Sequence, residues 1–155
     1  MSDRWVFLMA FLALVTIVAG AFVVPQLFAL KLLQSLIYVA IVVMVFTGED
    51  RYSYMLGILA PLMGFLLAPL LGGFFHDLVV LGKSVTGSPI GPSDTPFRGI
   101  AVLCEAGVVI TAARAWRKQV SEKFFGKTFV VGLIVSLVYI GMILGWYFTR
   151  GGAAL

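Results

Sequence analysis

The chain of 155 residues is 61% hydrophobic and only 12% charged, with a mean hydropathy of +1.09. Soluble domains hold roughly 45–50% apolar and about 25% charged residues, so this composition excludes a soluble globular protein. It predicts one all-helical membrane domain over residues 1–155. The net charge is +4, and the Lys and Arg residues lie in short segments between apolar runs. In a membrane protein this distribution indicates the orientation of the chain, so it argues against nucleic-acid binding.

Five apolar runs predict a bundle of about five transmembrane helices. The first, Trp5–Val24, is long enough to cross a bilayer core, so we interpret it as a retained helix and not as a cleaved signal peptide. Pro25 then breaks the run, because proline cannot continue the helical hydrogen-bond ladder. The second, fourth and fifth spans are predicted at Leu30–Phe46, Arg98–Trp116 and Phe129–Phe148.

The third apolar run, Tyr54–Leu81, is too long for one straight span. It contains Pro61 and Pro69, which predict a helix that is kinked or broken. We expect this helix to continue to about Leu71, and a short half-buried or interfacial helix to follow at Phe74–Leu81. Residues 82–96 are rich in turn-forming residues and predict a loop.

Small residues at helical spacing predict close contacts between helices, because they let two backbones approach. On the third helix these residues are Gly57 and Gly64. On the last helix two such pairs lie on nearly opposite faces, which predicts a helix packed between neighbours that can include another protein. The two pairs are Gly132 with Ser136, and Gly141 with Gly145.

The segment between the fourth and fifth spans decides the predicted orientation. It carries five basic residues against one acid, Glu122, and the positive-inside rule places such a segment in the cytoplasm. Counting back puts loop 82–96 outside and the N-terminus inside, in what we expect to be a bacterial inner membrane. The five basic residues are Arg114, Arg117, Lys118, Lys123 and Lys127.

Glu105 is the only acid deep in any span, and an intramembrane carboxylate costs several kcal/mol unless it is paired, hydrated or protonated. The predicted topology places four more polar residues in the same outer half of the membrane. A pair between Lys31 and either acid, with the histidine beside it, would satisfy the buried charges. The four residues are Lys31, Gln34, His76 and Asp77.

Three interpretations of this polar cluster remain open. Its members could pair with one another to fix the helix register, or Glu105 could contact another subunit. Alternatively, Glu105 could exchange protons or bind a cation, with His76 and Asp77 as an outer relay. A third possibility is general-base catalysis by His76, but we find no catalytic residues because the chain has no nucleophile motif, phosphate loop or metal signature.

The stretch Phe97-Arg98-Gly99, with Leu103 and Glu105, resembles one segment of small membrane subunits in Mrp-type antiporters and related hydrogenases. That segment reads aromatic-Arg-Gly-Phe-Asp-Thr-Leu-Gly-Glu, and the Arg-to-Glu spacing is the same here. Its Asp, Thr and Gly are replaced by Ala101, Val102 and Cys104. The resemblance covers a single helix start, and no residue role is taken from it.

These observations predict a small accessory subunit that packs and stabilises partner helices in a larger bacterial-type membrane complex. The alternative is a small proton- or cation-coupled transporter or channel that acts as an oligomer through Glu105. The expected partners are membrane lipids together with other membrane subunits or further copies of the chain. The single Cys104 excludes an internal disulfide, the single His76 argues against a metal site, and the residues indicate no particular cofactor.

Overall fold

The computed structural model describes residues 3–67, 74–89, 91, 95–121 and 123–151. These residues form six α-helices and no strand, which confirms the predicted all-helical class. The helices are α1 (Asp3–Val23), α2 (Phe28–Thr47), α3 (Asp50–Leu67), α4 (Phe74–Val85), α5 (Pro96–Gln119) and α6 (Lys127–Trp146). A 3₁₀ turn at Pro25–Leu27 separates α1 from α2, and a π-helical turn at Tyr147–Gly151 extends α6.

Four of these helices are long and apolar enough to cross a membrane: α1, α2, α5 and α6. Many large apolar side chains on their outer faces are exposed, as expected of surfaces that lie against lipid. The chain is therefore an integral membrane protein by length and composition. The first turn comes at the predicted Pro25, and Gly48 ends α2 in the left-handed conformation, with φ of +82°, that glycine adopts without strain.

The third apolar run gives two helices in the structure. α3 begins at Asp50, four residues before the predicted start, and contains Pro61. The predicted break and the end near Leu71 fall within residues 68–73, outside the described residues. α4 continues to Val85, so the predicted loop is wrong at residues 82–85, where the helical hydrogen bonds continue past Gly82.

Antiparallel packing of α1 against α5 forms one side of the bundle. A Cβ built on Gly20 would lie 3.7 Å from the Cβ of Phe97 near one end of the pair, and one built on Gly107 would lie 2.9 Å from the Met9 sulfur further along. On the other side, α3 lies between α5 and α6. A Cβ on Gly57 would approach Ala112 to 3.1 Å, so this glycine brings α3 and α5 close together.

The two ends of the bundle are defined by contacts across these helices. The Tyr54 hydroxyl lies between the side chains of Asp3 and Gln119, so the start of α1, the start of α3 and the end of α5 meet at one end. We call this the Gln119 end. The opposite end carries the 3₁₀ turn, α4 and the start of α5, and we call it the Pro25 end. The predicted basic residues Arg114, Arg117, Lys118, Lys123 and Lys127 are all exposed at or beyond the Gln119 end.

Candidate functional site: a polar cavity between the helices

A glycine at the Pro25 end sets the position of the short helix α4. A Cβ on Gly99 would lie 2.5 Å from the Cβ of Leu81 and 2.7 Å from the Asp77 carbonyl oxygen. Real Cβ atoms do not approach other atoms so closely, so only glycine allows α4 to pack on α5 in this way. This contact brings the first turn of α4 beside the first turn of α5.

The Asp77 carboxylate forms an ion pair with Arg98, with a distance of 3.6 Å between Oδ1 and Nη1. Burial raises the pKa of Asp77, while the charges of Arg98, Lys31 and His76 oppose this rise. The expected partner Lys31 is within electrostatic range of both Asp77 and Glu105, but the direct ion pair of Asp77 is with Arg98. Lys31 and Arg98 also repel each other, so the site holds two acids and two bases close together.

The Tyr38 hydroxyl lies near the Glu105 carboxylate across the interior of the bundle, close enough for the two groups to interact. Tyr38 is only 2% exposed, whereas Glu105 retains accessible surface. The carboxylate is thus deep in the bundle without being packed tightly on every side. A carboxylate held in this way can exchange a proton or bind a cation if its open side faces a space large enough for the incoming group.

That space is a cavity of about 210 Å³ between α2, α3, α4, α5 and α6. Much of the wall is apolar, with Ala60, Pro61 and Ile143 among its residues. A second tyrosine is fixed at the wall, because the Tyr139 hydroxyl donates a 3.0 Å hydrogen bond to the backbone carbonyl of Gln34. The polar and aromatic side chains that line the cavity are Gln34, Tyr38, Phe65, Asp77, Glu105 and Tyr139.

The structure brings together four of the five polar residues singled out in the sequence: Lys31, Gln34, Asp77 and Glu105. His76 is exposed on α4 and interacts electrostatically with Asp77. Sequence reasoning did not assign Arg98, Tyr38 or Tyr139 to the site. Arg98 could have been found, since it lies two helical turns before Glu105 on the same face, but tyrosines within apolar spans carry no comparable signal.

The small residues predicted to pack fall into two groups. A Cβ on Gly132 would lie 2.7 Å from the Met55 Cγ atom, and Ser136 is fully buried, so this pair packs inside the bundle. Gly141 and Gly145 are exposed, and a Cβ on either would meet no atom within 4 Å. Gly64 also has nothing within 4 Å, because it lines the cavity and does not contact another helix.

Within the described residues, no group of three His, Cys, Asp or Glu side chains is arranged to hold a metal ion. No protein-family model, curated protein or solved structure matches this chain. Residue roles therefore rest on the geometry of the cavity and on the charges around it.

Proposed function

We propose that this chain is a small proton- or cation-coupled membrane transporter or channel in which Glu105 is the exchanging group. One observation carries the proposal: the carboxylate of Glu105, well inside the bundle, lines a cavity shared by five helices. A carboxylate with only a structural role would be expected to contact its counter-ion closely and leave no open space beside it. Here the hydroxyl of Tyr38 lies beside the carboxylate.

The surrounding charges support reversible proton binding. Lys31, a base, and Asp77, an acid, both lie within electrostatic range of Glu105. Asp77 in turn pairs with Arg98 near the Pro25 end. Because opposite charges act on one carboxylate, a change in the position of either group alters how strongly Glu105 holds a proton, which proton exchange requires.

We infer five membrane spans, with α3 as the fifth in addition to α1, α2, α5 and α6. α3 packs between α5 and α6, and residues 54–58 are all buried in the bundle. The positive-inside rule places the basic Gln119 end, and with it the N-terminus, in the cytoplasm of a bacterial cell. The cavity then lies in the outer half of the inner membrane.

Proton flux into liposomes tests this function. Purified protein is reconstituted with a trapped pH-sensitive dye, and the external pH is lowered. We expect Glu105→Gln to abolish the protein-dependent flux, because the amide cannot bind and release a proton at Glu105. The control is Glu49→Gln, which changes an exposed acid in the α2–α3 turn and should leave the flux intact. A Glu105→Gln protein that folds and conducts like the parent would contradict the proposal.

A second candidate, the accessory subunit, is favoured by the open face of α6. Gly141 and Gly145 offer a surface on which another helix can approach closely, and no described helix of this chain occupies it. The occupant would be an unrelated membrane subunit or a second copy of the chain. Purification in mild detergent distinguishes the two candidate functions. A fixed set of unrelated partner proteins favours the accessory subunit, and a pure homo-oligomer favours the transporter.

Substitution on the same face tests whether it binds a helix. Gly141→Leu and Gly145→Leu should disrupt either assembly while the single chain still folds, because a Cβ at either position meets no atom of the described residues within 4 Å. Val138→Leu is the matched control, since Val138 is 58% exposed on α6 but is already a large residue. If both glycine variants assemble like the parent, this face of α6 lies against lipid.

A further inference from the structure

The walls of the Glu105 cavity combine negative charge with aromatic rings. Two carboxylates, Glu105 and Asp77, line the cavity. Three aromatic side chains, those of Tyr38, Phe65 and Tyr139, line it as well. The nearby Lys31 and Arg98 are not among the described residues of the wall.

This combination has a chemical preference. Aromatic faces attract a cation electrostatically, and the attraction is stronger where water is excluded. A cation that enters an apolar space also needs a counter-charge, which a carboxylate supplies. The apolar part of the wall favours alkyl or aryl groups, which a hydrated inorganic ion lacks. A solute that carries a positive charge together with alkyl or aryl groups suits all three parts of the wall. An organic ammonium ion is such a solute.

We propose that the cavity binds a small organic ammonium ion, with its charge beside Glu105 and its alkyl or aryl groups against Tyr38, Phe65 and Tyr139. This inference rests on the proposed function, because the same carboxylate would exchange the proton. A cavity of about 210 Å³ is smaller than the roughly 300–1,000 Å³ of pockets for drug-sized ligands, so the ligand is a small amine.

Proton and ammonium ion would then compete for one carboxylate. The groups within electrostatic range of Glu105 are Lys31 and Tyr38 from α2, Asp77 from α4, Tyr139 from α6 and Cys104 on α5 itself, and Arg98 acts on Lys31 and Asp77. The wall residues that α3 contributes carry no titratable group. Because only the charged carboxylate attracts a cation, affinity for the ammonium ion should rise with pH.

Calorimetric titration of the full-length protein in detergent with benzyltrimethylammonium tests the inference. We expect saturable binding that strengthens from mildly acidic to mildly alkaline pH. Glu105→Gln should weaken binding at least about tenfold, and Glu105→Asp should retain part of it because the charge remains. Tyr139→Leu should weaken binding about three- to tenfold through loss of the aromatic face, and Tyr139→Phe should weaken it less.

The uncharged isostere neopentylbenzene is the matched ligand control. Equal binding of the two compounds, or unchanged binding to a folded Glu105→Gln protein, would show an unselective apolar pocket and overturn the inference. Absence of saturable binding would also overturn the inference. If proton flux still depended on Glu105 in that case, the proposed function would hold without the ammonium site. Binding that requires Glu105 without any Glu105-dependent flux would support the inference and contradict the proposed function.

Discussion

The hydroxyl group of Tyr38 in α2 lies near the carboxylate of Glu105 in α5, close enough for the two groups to interact. These two helices pack on other helices more than on each other, since both lie against α1 and α3. The Tyr38–Glu105 contact therefore spans an interior region where backbone packing is sparse. The cavity occupies the same region, so the contact and the cavity share one structural cause.

Removal of the Tyr38 hydroxyl should destabilise the protein. Tyr38→Phe removes the hydroxyl that lies beside the Glu105 carboxylate, and loss of a hydrogen bond to a charged group costs about 1.5–3 kcal/mol. Thermal unfolding in detergent measures the change. Tyr52→Phe, on the first turn of α3 and away from the cavity, is the matched control and should have no effect. Equal stability of Tyr38→Phe and the parent would mean that the Tyr38–Glu105 contact contributes little.

The Arg98–Asp77 pair should behave as a unit. Arg98→Gln leaves the half-buried Asp77 without its guanidinium partner, so the pKa of Asp77 should rise further and the protein should lose stability. Adding Asp77→Asn should recover most of the loss, because replacing both members of a partly buried pair is often tolerated. Thermal unfolding of the two single variants and the double variant gives the interaction energy between Arg98 and Asp77. Additive effects would show that the pair does not interact energetically.

Gly99, at the α4–α5 contact, and Gly82, on the exposed side of α4, provide a matched pair of helical glycines. Gly99→Ala should displace α4, because its Cβ would lie 2.7 Å from the Asp77 carbonyl oxygen and 2.5 Å from the Leu81 Cβ. Gly82→Ala meets nothing within 4 Å and should stabilise α4 by about 0.5–1 kcal/mol, since alanine is the better helix former. Unfolding temperatures and proton flux are measured for both variants. Unchanged flux in Gly99→Ala would show that α4 is not needed at the site.

Orientation is tested with single cysteines in a Cys104→Ser background. A membrane-impermeant thiol reagent on intact cells should label Ser88→Cys, beyond α4, and spare Ser121→Cys, beyond α5. Both positions are exposed, so accessibility within the protein does not limit the reaction. Labelling of Ser121→Cys alone would reverse the inferred topology and place the cavity in the cytoplasmic half.

The sequence alone determined the membrane class, the four long apolar helices and the turn at Pro25. Each of these follows from local properties: apolar length against bilayer thickness and the missing N–H of proline. The same reasoning identified Glu105, because a deep acid stands out wherever it lies. It misplaced the end of α4, since a single glycine within a helix lowers its stability without having to end it.

Only the tertiary structure decided what Glu105 faces. Sequence spacing shows which residues share a helical face, but not which way that face points or how closely two helices approach. The Arg98–Asp77 pair depends on the close approach at Gly99, and the Tyr38–Glu105 contact depends on the separation of α2 and α5. The cavity is likewise a property of how five helices pack together, and each side chain in its wall would be equally compatible with a fully packed bundle.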